Sequence, residues 1–209
     1  MNKEQALLRM KEAGVIPVMR GMKTATVIDL LQALYEGGLK AVEITIEGDE
    51  GLDSIKVAKE HFKDKLLVGA GTILSGADAQ ASIDAGADFI VTPIVVEDAI
   101  TVAKENNCFV AIGAFSPTEI ATAYSLGADI VKVFPANTLG ADYLKNVKGP
   151  LPQIPLMPTG GIDLSNIQSY FNNGAICVGV GSAIYKFNTA AEITAAAREY
   201  VQAFESAKN

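Results

Sequence analysis

Eight short apolar runs rich in Val and Ile recur along the chain, and the stretches between them have helical character. They are VIPVM from Val15, AVEITI from Ala41, LLVGA from Leu66, DFIVT from Asp88, CFVAI from Cys108, DIVKVF from Asp129, IPLMP from Ile154 and AICVGV from Ala175. Successive runs start 20 to 26 residues apart, the length of one strand, one helix and two short loops. The runs are continuously apolar instead of alternating, which predicts strands covered on both faces. GGLKAVEI, AGADFIV, LGADIVKV and NGAICVGV repeat one pattern, in which a helix ends at Gly and a strand begins within a few residues. Gly38, Gly86, Gly127 and Gly174 are therefore expected in the left-handed conformation that closes a helix. Ser116-Pro117-Thr118-Glu119 carries a cap, a first-turn Pro and a Glu three positions on, the signature of a capping box. Ser75 and Asp163 are expected to open helices in a similar way.

Eight such units predict a closed (β/α)8 barrel, with MNKEQALLRMKEAG adding an N-terminal amphipathic helix. An open doubly wound sheet is the rival architecture. The 209 residues suit one domain spanning 1–209, and no linker or low-complexity stretch divides them.

Against that apolar frame, ionisable groups inside strands stand out. Asp88 and Asp129 only open their runs, which leaves Glu43, Lys132 and Arg20. Lys132 lies between Ile-Val and Val-Phe-Pro, although Lys is among the residues least often buried. Strand alternation puts Ile130, Lys132 and Phe134 on one face, and Ala41, Glu43 and Thr45 on another. A desolvated amine loses its proton more readily and can then attack a ketone. A carboxyl in a nonpolar pocket can shuttle the protons that such chemistry moves. The plainer reading is an ion pair that only bridges two strands. The one histidine, His61, falls in the helical segment EHFKDK and is expected in solvent, so no metal site is predicted.

The glycine-rich segments PTGGID and VGVGSAI follow the seventh and eighth runs, where barrels of this type commonly bind phosphate. Gly160, Gly161, Gly181 and Ser182 are candidate anion ligands, helped by the helix N-termini expected to follow. Thr72 in GAGT offers a hydroxyl for a carboxylate, and Arg20 could clamp either anion. The formal charge of -7 argues against a nucleic-acid partner. Cys108 and Cys177 sit singly in apolar runs and read as buried thiols of a reducing compartment. No apolar run reaches membrane-span length and the charged N-terminus is unlike a signal peptide, so a cytoplasmic location is expected.

In order and at suitable spacing, VIPVMRG, VEIT, VGAGTIL, ADFIVTP, SPTEI, VKVFPA, PTGGI and VGVGSAI resemble the family of 2-keto-3-deoxy-6-phosphogluconate (KDPG) and 4-hydroxy-2-oxoglutarate aldolases. The resemblance implies a homotrimeric, metal- and cofactor-independent class I aldolase that splits a phosphorylated keto acid into pyruvate and glyceraldehyde 3-phosphate. It makes Lys132 the Schiff-base lysine and Glu43 the general acid/base. Thr72 becomes a carboxylate ligand, Pro93 and Phe134 line the pocket, and Thr159, Gly160, Gly161 and Ser182 face the phosphate. Two positions depart from the family pattern. Many members carry Arg where this chain has Glu47, and Pro-Gly where it has Ile112-Gly113. These departures leave open a 6-phosphogalactonate-type substrate. An isomerase or epimerase using Glu43 as base and a non-catalytic sugar-phosphate sensor are the competing classes.

Overall fold

The computed structural model describes residues 3–48 and 50–208. Its strands are β1 (Val15–Met19), β2 (Ala41–Thr45), β3 (Leu67–Gly71), β4 (Phe89–Val91), β5 (Phe109–Ala114), β6 (Ile130–Val133), β7 (Leu156–Pro158) and β8 (Val178–Val180). All neighbours pair in parallel, in the order β7-β6-β5-β4-β3-β2-β1-β8. The remaining seam is bridged at Leu156↔Ala175 and Thr159↔Gly179. The sheet is therefore an eight-stranded barrel, and the open doubly wound alternative is set aside. Each predicted run overlaps its strand: the first coincides with β1, β3 and β5 run one and two residues further on, and the others are trimmed at one or both ends. The largest trim is at the eighth run, where Ala175 makes only an isolated bridge.

The helices are α1 (Lys3–Ala13), α2 (Thr24–Glu36), α3 (Gly51–Phe62), α4 (Gly76–Asp84), α5 (Glu97–Glu105), α6 (Pro117–Leu126), α7 (Ala136–Leu139), α8 (Asp142–Lys148), α9 (Ile167–Asn172) and α10 (Ala190–Ala207). Ser116 and Glu119 close the predicted capping box on α6, and the Ser75 side chain caps α4. Asp163 behaves differently. Its carboxylate accepts from the backbone and hydroxyl of Ser165, and the helix starts only at Ile167. A local turn thus competes with the helix for the side chain. Gly38, Gly86, Gly127 and Gly174 all take positive φ, as their pattern predicts.

The apolar core divides in two. The larger part lies between strands and outer helices. The smaller fills the barrel from the end where the strands begin, with Ile16, Leu67, Phe89, Phe109 and Ile130 among its members. Helix α1 lays Ala6, Met10 and Ala13 against this cluster and closes that end. Gly14 joins α1 to β1 at φ 65°. A side chain there would overlap the Phe204 ring of α10, so the plug is held tightly at its hinge.

Candidate active site

At the opposite end of the barrel the inward positions turn polar. Register places Val18, Glu43 and Gly69 side by side, and likewise Gly113, Lys132 and Met157. Lys132 Nζ lies 3.3 Å from Glu43 Oε1, with the two side chains 4% and 1% exposed. The other carboxylate oxygen, Glu43 Oε2, and the buried hydroxyl of Thr159 have no hydrogen-bond partner within the protein. They are two of the three such atoms found among the described residues, one on β2 and the other just after β7.

Glycines make this arrangement possible. A Cβ on Gly71 would overlap the Glu43 carboxylate, and one on Gly179 would overlap the Thr159 side chain. Burying two charges costs several kcal/mol per ion before their attraction is counted, and apolar replacements are often as stable. The pair is therefore poorly explained as a stabilising device. A lysine held away from water beside a proton acceptor is the arrangement from which imine chemistry starts.

The Phe134 ring centroid lies 5.6 Å from Lys132 Nζ, and Phe134 is half-buried. Pro93 is also half-buried, at the end of β4, where Gly113 lets the β5 backbone approach it closely. Thr159 follows β7 and donates its amide to Val133 O, next to Lys132. Gly160 and Gly161 take φ of 103° and 67°. Ala136 N and Asn137 N donate to the carbonyls of Thr159 and Gly160, so the loop leaving the lysine strand is tied to the glycine loop beside it.

Gly181 and Ser182 are exposed at the mouth, with only a three-residue 3₁₀ turn, Ser182–Ile184, after them. Neither glycine loop opens directly onto a long helix, because α9 and α10 begin several residues later. The helix dipole expected from sequence is thus missing from both loops, and backbone amides and side-chain cations must hold any anion there.

Tyr185 and Lys186 are not singled out by sequence reasoning, although both follow directly in GSAIYK. The Tyr185 hydroxyl donates to Val18 O at 3.0 Å and accepts from Arg20 N at 3.4 Å, fastening the β8 loop to β1. With Arg20, Gly181, Ser182 and Lys186 it lines a cavity of about 510 Å³, within the range of small-ligand sites. That cavity holds two cations and two of the predicted anion ligands.

Arg20 is not free at the mouth. Its NH1 donates to Glu47 Oε1 at 2.7 Å. The Thr45 hydroxyl lies 3.4 Å from the same oxygen and 3.2 Å from Met19 O, its nearer acceptor, and the Thr72 side chain also favours the charged form of this carboxylate. Burial pulls the Glu47 carboxyl upward, but hydrogen bonds from Arg20 and Thr72 and the guanidinium charge outweigh it and set it below the usual carboxylate range. Thr72 itself takes φ 62°, uncommon for a non-glycine residue. His61 is exposed on α3, away from the strands. No helix among the described residues is long and apolar enough to cross a membrane.

Comparison with known proteins points to the same chemistry. The chain is 36% identical over 171 residues to the 2-dehydro-3-deoxy-phosphogluconate aldolase of Pseudomonas aeruginosa, covering 81% of this chain and 77% of that one. It is 31% identical over 195 residues to the 2-dehydro-3-deoxy-6-phosphogalactonate aldolase of Escherichia coli, covering 92% and 95%. Among solved structures, the KDPG aldolase of Legionella pneumophila with pyruvate captured as a covalent carbinolamine superposes with a TM-score of 0.85 at 26% identity, covering 92% of this chain and 96% of that one. The family model for KDPG and KHG aldolase matches residues 7–197. With a barrel of this topology and a lysine–glutamate pair inside it, the chain belongs to the KDPG and KHG aldolase family.

Proposed function

We propose that this chain is a class I aldolase that cleaves 2-keto-3-deoxy-6-phosphogluconate to pyruvate and glyceraldehyde 3-phosphate through an imine on Lys132. The observation that carries the reading is the buried 3.3 Å contact between Lys132 Nζ and Glu43 Oε1. The neutral amine attacks the C2 ketone to give a carbinolamine. Glu43 supplies the proton with which the hydroxyl leaves as water, forming the imine. Its carboxylate then takes the proton from the C4 hydroxyl as the C3–C4 bond breaks. The electron pair moves into the imine to give an enamine, and the aldehyde departs. Protonation at C3 and hydrolysis release pyruvate and restore the amine. An isomerase working through Glu43 alone would have no use for the buried amine.

Thr72 and Arg20 hold the keto-acid carboxylate in this reading, and Pro93 and Phe134 wall the reacting carbons. Thr159, Gly160, Gly161, Gly181 and Ser182 are assigned to the phosphate, with Lys186 adding charge at the cavity that Gly181 and Ser182 share with Arg20. The imine forms on the chain's own lysine, so no metal or cofactor enters the scheme. The galactonate-derived epimer is the second substrate reading, favoured by the relative that is 31% identical over 92% of this chain. We also infer one catalytic domain over 1–209, a cytoplasmic location and a homotrimer. Exposed Leu74, Ile94 and Phe115 on the loops after β3, β4 and β5 support association, since neighbouring loops would present them together.

Borohydride reduction in the presence of pyruvate tests the imine. A stable pyruvate-sized mass on Lys132 is expected, and an unlabelled protein or a label on another lysine would refute the mechanism. A retro-aldol assay coupled to pyruvate detection, run on the gluconate- and galactonate-derived phosphates and on 4-hydroxy-2-oxoglutarate, separates the substrate readings.

A further inference from the structure

Glu47 sits two residues beyond β2, at the same mouth as the lysine–glutamate pair. Its carboxylate accepts from Arg20 NH1 at 2.7 Å and has the Thr45 hydroxyl 3.4 Å away, and the Thr72 side chain adds to what favours its charged form. Arg20 and Thr72 are also the groups to which the keto-acid carboxylate is assigned above. The same donors would then have to satisfy two carboxylates, and an arriving anion would meet a like charge beside its ligands. The Arg20 and Glu47 side chains are 52% and 41% exposed, and ion pairs that open to water add little to stability. Holding the fold together is therefore a weak account of the contact.

We propose that Glu47 is a built-in carboxylate that competes with the substrate's own carboxylate for Arg20 and Thr72, and so sets the keto-acid affinity of the site. Until substrate arrives, Glu47 keeps the guanidinium and the hydroxyl assembled on one anion. Substrate binding then exchanges one carboxylate for another, and affinity reflects only the difference between them. The inference rests on the Schiff-base reading, because it takes the keto-acid carboxylate to lie beside Lys132.

The sign of the effect gives the test. Removing a merely structural contact leaves affinity unchanged or worse, whereas removing a competitor improves it. The fraction of Lys132 that borohydride traps is measured against pyruvate concentration in the unaltered protein, Glu47→Gln and Glu47→Ala, with Arg20→Ala for comparison. Both Glu47 variants should reach half-maximal labelling at about three- to tenfold less pyruvate, the range set by one charge-assisted contact at a partly exposed site, while Arg20→Ala should need more. Normal labelling of the unaltered protein, with the Glu47 curves coinciding with it or moved to higher pyruvate, overturns the inference and leaves the Schiff-base reading standing. Absence of label on Lys132 in every protein removes both together.

Discussion

The two ends of the barrel interior are made by the same eight strands and are built on opposite terms. At the end closed by α1, the inward positions include Ile16, Ala41, Leu67, Phe89, Phe109, Ile130 and Cys177, all buried and all apolar. Two residues further along the strands, the same faces carry Glu43 and Lys132 with Thr159 nearby. Burial is equally complete at both ends, so exposure does not separate them. What differs is whether the buried atoms are satisfied by one another. The apolar end is satisfied, whereas the polar end retains Glu43 Oε2 and Thr159 Oγ1 without a protein partner. The contrast teaches that stability and chemistry are sorted along one axis by a shift of two residues.

The sharpest way to separate the ends is to make the polar one resemble the apolar one. Lys132→Met combined with Glu43→Leu should lower turnover by about 10⁴-fold or more. Folding stability should stay level or rise by up to about 4 kcal/mol, because apolar residues of similar size replace a buried ion pair. Kinetics and thermal melting on one sample decide it, and a large loss of stability would mean that the pair is structural.

A smaller change uses two glycines on one strand. A Cβ on Gly69 would overlap the Phe89 ring, and a Cβ on Gly71 would overlap the Glu43 carboxylate. Each Gly→Ala should cost about 1 to 3 kcal/mol through overpacking, or roughly 2 to 4 °C in Tm per kcal/mol. Only Gly71→Ala should also cut turnover of the folded enzyme, by about 100-fold, by displacing Glu43, the proposed proton carrier. Equal kinetic effects from the two variants would erase the distinction between the ends.

The smallest expected effect is none. Cys177 lies in the apolar cluster, and burial pushes its thiol far up, so little thiolate is available to react. A thiol reagent applied to the native protein at mildly alkaline pH should leave Cys177 unmodified, as mass spectrometry of the digest would show. Rapid native labelling would mean that the apolar end opens to water.

Much of this architecture is legible in the sequence because each of its signals is local. Continuous Val- and Ile-rich runs mark strands buried on both faces, and a charge inside such a run is conspicuous, which is how Lys132 and Glu43 emerge from the residues alone. The Ser116 capping box and the closing glycines are likewise readable within a few positions. The parts that are not legible depend on atoms far apart along the chain. Asp163 looks like a cap until its carboxylate is seen holding Ser165 instead. Tyr185 contacts Val18 across 167 positions, a relation that no spacing rule carries. Glu47 is visible as a departure from the family pattern, but only the fold brings it onto Arg20 and Thr72.

The helix lying across the base of the barrel has one more consequence. With that end filled by apolar side chains, the proposed substrate and products would enter and leave at the opposite mouth. In the proposed scheme pyruvate, bonded to Lys132 at the inner end, lies behind whatever occupies the vestibule. The aldehyde fragment has to clear the passage before its partner can be set free, and in the synthetic direction the keto acid has to be in place first. A blocked back wall thereby enforces in space the same order of release that the proposed covalent chemistry sets in time.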